Sequence, residues 1–165
     1  MSGACIARVG CAVVLLGLIA CHSAPPPKPV EPPVITTLAI VTAPDVNPDK
    51  AGRASPVVVR LFQLRTDAEF GGAQFFRLYD GEKEALGASL IARDEFTMNP
   101  GAQRQQELPV APETRYFAVL AAYQDPAAQW RAILPAPPPS AKKRSKEEHL
   151  TIHLNQTAVS LTLND

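Results

Sequence analysis

The stretch "RYFAVLAAY", residues 115–123, is apolar at nearly every position. A strand with one wet face alternates apolar and polar residues, whereas a strand covered on both faces reads as an almost unbroken apolar run. This stretch therefore predicts a central strand with a packed layer on each side. "QWRAIL" (129–134) is placed to pair with it across the turn "QDPAA". Further out, "PVVVRLFQL" (56–64) puts Val57, Val59 and Leu61 on one face and Arg60 on the other, and Pro56 sits at a first strand position, where no donor is needed. "VITTLAIV" (34–41) is rich in β-branched residues. "SLIARDEFTM" (89–98), closed by "NPG", and the edge-like "RQQELPV" (104–110) add two more strands. "HLTIHLNQTAVSLTL" (149–163) alternates at Leu150, Ile152, Leu154 and again at Val159, Leu161, Leu163. It predicts a hairpin with Asn155-Gln156 as a two-residue turn.

One segment breaks the β pattern. In "TDAEFGGAQFFRLYDG" (66–81), Phe75, Leu78 and Tyr79 fall at i, i+3 and i+4, a helical stripe. Thr66 and Glu69 fit a capping box, and Gly81 fits a C-terminal stop. Gly71-Gly72 disfavour a helix before Ala73, and "EKEALG" (82–87) adds a short further turn. The fold class is mainly β: a two-sheet β-sandwich of about eight strands with a small helical insertion between the second and third. Trp130 reads as a packing residue.

The chain has 165 residues, 16 basic against 16 acidic, and 46% hydrophobic residues. No basic excess exists to hold nucleic acid by its phosphates, so that partner class is excluded. Its three cysteines, Cys5, Cys11 and Cys21, all precede the predicted strands. The body can form no internal disulfide and offers no thiol for catalysis or zinc.

The apolar run "VGCAVVLLGLIA" (9–20) is about 18 Å long as a helix, short of the roughly 20 residues a bilayer core requires. With Arg8 ahead of it, it has the layout of a secretory signal. "LIAC" (18–21), with small Ala20 before a terminating cysteine, looks like a bacterial lipobox. Residues 1–20 are thus expected to be a lipoprotein signal peptide, and Cys21 the lipidated residue. His22 stands where an aspartate would favour inner-membrane retention, so the expected location is the outer membrane, facing the periplasm. Six prolines in residues 25–33 predict an extended polyproline tether over 21–33, with the sandwich domain filling 34–165. "PAPPPSAKKRSKEE" (135–148) reads as a solvated loop whose cations are offset by Glu147-Glu148.

Little in the body suggests catalysis. His149 and His153 share a strand face, but no third metal ligand accompanies them. Asp94-Glu95 and Asp125 lie beside turns, and Ser55 and Ser89 lack a nucleophile elbow. No cofactor is expected. The feature that stands out is "APDVNPDKAGRASP" (43–56), about 14 residues where a hairpin needs fewer. Asn47-Pro48-Asp49 is turn chemistry, Gly52 permits positive φ, and Arg53 and Ser55 offer donors beside Pro56, all consistent with a loop of defined shape.

"NPDKAGRASPVVVRLFQL" (47–64), "FFRLYD" (75–80), "LGASLIARDEFTMNPG" (86–101) and "FAVLAAYQDPAAQWR" (117–131) together resemble the outer-membrane lipoprotein of bacterial type VI secretion systems, the TssJ (SciN, VasD) family. The resemblance implies a transthyretin-like β-sandwich without enzymatic activity. It also implies a partner: the periplasmic C-terminal part of a TssM-like inner-membrane protein, with a TssL-like protein associated indirectly. The family's partner-binding loop carries over onto Asn47, Pro48, Asp49, Lys50, Gly52, Arg53 and Ser55. The proline-rich segment 135–148 is longer than the family pattern. A competing expectation is a periplasmic sandwich lipoprotein that binds a small molecule or peptidoglycan fragment.

Overall fold

The computed structural model describes residues 33–137 and 149–164. The signal, Cys21, the tether and most of the 135–148 loop lie outside the described residues. Eight strands form two four-stranded sheets: β1 (Val34–Thr42), β2 (Val57–Leu64), β3 (Leu90–Met98), β4 (Gln103–Val110), β5 (Tyr116–Ala121), β6 (Arg131–Pro135), β7 (His149–Leu154) and β8 (Val159–Asn164). One sheet has the order β4-β1-β7-β8 and the other β3-β2-β5-β6. All neighbours are antiparallel except β1 and β7, which run parallel with Leu38 opposite Leu150.

The central position of β5 has the cause its composition implies. Phe117, Val119 and Ala121 face the other sheet, where they meet Leu38, Ile40, Leu150 and Ile152. Ala118 and Leu120 face outward with Phe62 and Leu64 of β2, and a helical layer covers them with Phe70, Leu78 and Leu86. Burying each such Leu or Phe contributes about 1.5–3 kcal/mol, so the helical layer is part of the core. β4 lies at a sheet edge, as its polar sequence implies, with Gln103–Gln105 and Glu107 exposed.

The helical excursion differs from its expected form. It comprises two helices, α1 (Ala68–Gly72) and α2 (Phe75–Leu86). The glycine pair closes α1 and does not delay the first helix, because Phe70 is fully buried against Phe62, with ring centroids 5.4 Å apart. Gly81 lies inside α2 as a kink (φ −144°, ψ 50°) and does not end it. The stop is Gly87, whose φ of 49° suits a residue without Cβ and whose N–H donates to the Lys83 carbonyl. The capping box does not form. Asp67 is the N-cap, and the Thr66 hydroxyl donates to the Glu69 carboxylate at 2.6 Å instead of accepting a backbone N–H.

The hairpin turn also differs. Leu154 pairs with Val159, leaving a four-residue connection, 155–158, closed by Asn155 N–H to the Ala158 carbonyl. β7, which carries His149 and His153, is an interior strand, and β8 is the edge.

Gln63 is polar and almost fully buried. Its Nε2 donates to the Pro109 carbonyl at 2.8 Å, while its Oε1 accepts the Ala111 N–H at 3.0 Å and the Thr114 hydroxyl at 2.9 Å. One carboxamide thereby ties β2 to the end of β4 in the opposite sheet. Gln63→Leu strips the Pro109 carbonyl, the Ala111 N–H and the buried Thr114 hydroxyl of this partner. It is expected to cost about 2–4 kcal/mol in chemical denaturation. A loss under about 0.5 kcal/mol would show that Gln63 does not join the sheets.

Candidate functional site

The strand directions divide the sandwich into two ends. Thr42, Gln103, Leu154 and Val159 lie together at one end, as do Val57, Met98, Ala121 and Arg131 of the other sheet. That end carries four loops: 43–56, 99–102, 122–130 and 155–158. Val34, where the described body begins, lies at the opposite end, one nine-residue strand away. At about 3.3 Å per residue that is roughly 30 Å.

The 43–56 loop has a defined shape. Val46 and Asn47 are buried under it. Asn47 adopts φ 50°, a left-handed conformation that asparagine tolerates better than most residues. Its Nδ2 donates to the Pro56 carbonyl and its Oδ1 accepts the Gln124 N–H, both at 2.7 Å. Its own N–H donates to the Gln156 carbonyl at 2.9 Å. Three loops thus meet at one residue, two of them through its side chain and the third through its backbone N–H. The Tyr123 hydroxyl, which burial keeps protonated well above its ordinary range, adds a bond to the Asn155 carbonyl at 3.2 Å.

Beyond Asn47 the loop closes on itself. Asp49 Oδ1 accepts the N–H groups of Ala51 (2.8 Å) and Arg53 (3.0 Å), and Oδ2 receives the Arg53 Nε at 2.9 Å and Nη2 at 2.8 Å. Gly52, at φ 77°, allows the reversal. The Arg53 backbone and guanidinium donors hold the Asp49 carboxyl below its ordinary range. Because its value is depressed on folding, the clasp contributes at neutral pH and is lost as pH falls through that lowered value. The surface is modest in hydrogen-bonding reach: the Ser55 hydroxyl donates to the Arg53 carbonyl at 3.3 Å.

The seven predicted loop residues therefore divide. Asn47 is an internal clamp, not an exposed contact. Lys50, Gly52 and Arg53 are exposed, the Arg53 side chain at 80%, and Pro48, Asp49 and Ser55 are half-buried. Of the loop, Pro48, Asp49 and Lys50 border a shallow depression of about 390 Å³ whose far wall is Gln124, Asp125 and Pro126. The sequence offered no sign of that second wall, since the two segments are distant in the chain.

A second polar cluster was not expected from the sequence. Arg60 contacts Glu95 (2.7 Å), Glu82 (3.1 Å) and the Tyr79 carbonyl, with its guanidinium 4.4 Å from the Tyr79 ring centre. Arg93 contacts Glu82 (2.9 Å) and Glu95 (2.7 Å). Hydrogen bonding from Arg60, then the charges of both arginines, holds the Glu95 carboxyl below its ordinary range. Through Glu82, these ion pairs tie α2 to β2 and β3. Among the described residues, no group of three or more His, Cys, Asp or Glu is arranged to hold a metal ion.

Residues 35–157 match the family model described as type VI secretion lipoprotein, VasD, EvfM, TssJ. The chain belongs to that family. The TssJ family fold is seen in the solved T6SS lipoprotein TssJ1 of Pseudomonas aeruginosa, to which the chain is 35% identical with a TM-score of 0.73, covering 81% of this chain and 98% of that one. Lip of Serratia marcescens, a membrane bound component of the type VI secretion system, is 30% identical with a TM-score of 0.71, covering 81% and 99%. A chain in a structure of the TssM C-terminal domain (869-1107) from EAEC shares the fold at 21% identity and TM-score 0.63, covering 78% and 97%. No curated protein sequence gives a significant match. As in these relatives, the chain is an eight-stranded two-sheet sandwich with two small helices.

Proposed function

We propose that the protein is an outer-membrane lipoprotein, held by lipid on Cys21 and facing the periplasm. There it grips the periplasmic C-terminal part of a TssM-like inner-membrane protein and so anchors the secretion machine. A TssL-like protein joins through that partner. The role is mechanical, without catalysis or cofactor. Membership of the type VI secretion lipoprotein family supports the setting. The occurrence of a chain of this fold in a structure of a TssM C-terminal domain supports the partner.

The observation that carries the docking role is the clasped loop at the end of β1. An anchor upstream of Pro33 enters at Val34, and the loop stands at the far end of the same strand. A rigid loop loses little entropy on binding, so its contacts convert efficiently into affinity. Arg53 presents a well-exposed side chain whose guanidinium is fixed by Asp49. Arg53→Ala is expected to weaken binding of the partner's purified periplasmic segment about 5- to 30-fold in calorimetric titration, in the range of an interface anchor. Unchanged affinity for both Arg53→Ala and a Pro48–Arg53 glycine-serine replacement would remove the loop from the account.

A further inference from the structure

The loop that the family resemblance singles out lines only one side of a depression at its end of the sandwich. Gln124, Asp125 and Pro126 form the opposite wall of the same depression, and nothing in the clasp of 49–53 involves them. Resting on the docking role of the 43–56 loop, we propose that Gln124–Pro126 is a second contact segment for the same protein partner, and that the depression between the two segments receives a projecting side chain of that partner.

Three observations favour a protein knob as occupant. The walls are stiff. Pro48 and Pro126 have fixed φ, the Gln124 N–H is held by Asn47 Oδ1, and the Asp125 carboxylate accepts the Ala127 N–H at 2.8 Å. The relative position of the walls is therefore set before any partner arrives. The rim carries both signs of charge, Lys50 on one side and Asp125 on the other, both exposed. Lys50 makes no ion pair among the described residues. Such a rim suits a polypeptide segment that places complementary charges on either side of an anchor. The volume, about 390 Å³, is open and at the low end for a small-molecule site, and a few inserted side-chain groups fill it. Interface anchors characteristically enter such preformed hollows.

The test is calorimetric titration of the partner's periplasmic segment against four proteins: the natural chain, Gln124→Trp, Asp125→Lys and Arg53→Ala. Gln124→Trp fills the hollow from an exposed position without touching its backbone N–H, and Asp125→Lys reverses one side of the rim. Each is expected to weaken binding at least tenfold with an unchanged melting temperature. Asp125→Asn, which retains the acceptor for Ala127, replaces the lysine variant if that one melts early. It is expected to weaken binding by severalfold. Loss with Arg53→Ala but affinities within twofold for the Gln124 and Asp125 variants would overturn the composite surface and leave the loop's role standing. Affinities within twofold for all variants would overturn both. Hydrogen exchange on the unmutated complex supplies an independent readout: protection of the Asp125 and Ala127 amides together with those of Lys50–Gly52 is expected, and protection confined to the latter would refute the second segment.

Discussion

Cys21→Ser is expected to release the protein from the membrane fraction completely and to abolish its labelling by palmitate. The thioether that carries the diacyl group forms on sulfur, and serine offers none. On the proposed lipid anchor, lipobox processing then fails, and the amino group that would take a further acyl chain is never exposed. One acyl chain gives marginal binding and several together give stable anchoring, so the effect is all or none. Persistent palmitate label on the serine variant would refute the anchor assignment.

Asn47→Ala is expected to lower stability by about 2–4 kcal/mol, or the melting temperature by roughly 10 °C. The substitution leaves the Gln124 N–H and the Pro56 carbonyl without the carboxamide that each meets at 2.7 Å. It also puts a Cβ-bearing residue without a local hydrogen bond at φ 50°. Asn47→Gly is expected to recover the conformational part but not the hydrogen-bonding part, and so to fall between the two. Asn47→Asp keeps the acceptor for Gln124 but turns an oxygen toward the Pro56 carbonyl, and is expected to be no better than alanine. Partner affinity is expected to fall with Asn47→Ala and Asn47→Gly, because the two walls of the depression lose their common tie. A melting temperature within 2 °C of the natural chain for Asn47→Ala would mean that the loops are held by something else.

Composition and turn chemistry were enough to mark 43–56 as a shaped loop, since Asn-Pro-Asp and Gly52 have preferences that act within a few residues. Asp49 and Arg53, four positions apart, belong to that local class. The role of Asn47 was not legible. An asparagine before a proline reads as a turn residue at a surface, and only the arrival of Gln124 and Gln156 from loops far along the chain makes it a buried clamp. Gln63 and the Arg60–Glu82–Arg93–Glu95 cluster were hidden for the same reason: the first bonds residues 109–114, and the second joins β2, α2 and β3, segments distant in the chain. Gly81 misled because a glycine near the end of a helical stripe resembles a stop. The apolar Leu86, buried beyond it, carries the helix on to Gly87.

Taken by itself, the order of residues determined the number of strands, the place of the helical insertion and the two-sided burial of the middle of the 115–123 stretch, Phe117 to Ala121. Those features follow from period-two and period-3.6 patterning, which acts along the chain. It also determined the family. Only the tertiary structure decided that β1 pairs parallel with β7, that α1 and α2 roof the outer face of one sheet, and that 122–130 stands beside 43–56. Those depend on which distant segments share a hydrogen bond or a buried face, and strand patterning carries no label for the neighbour it will meet.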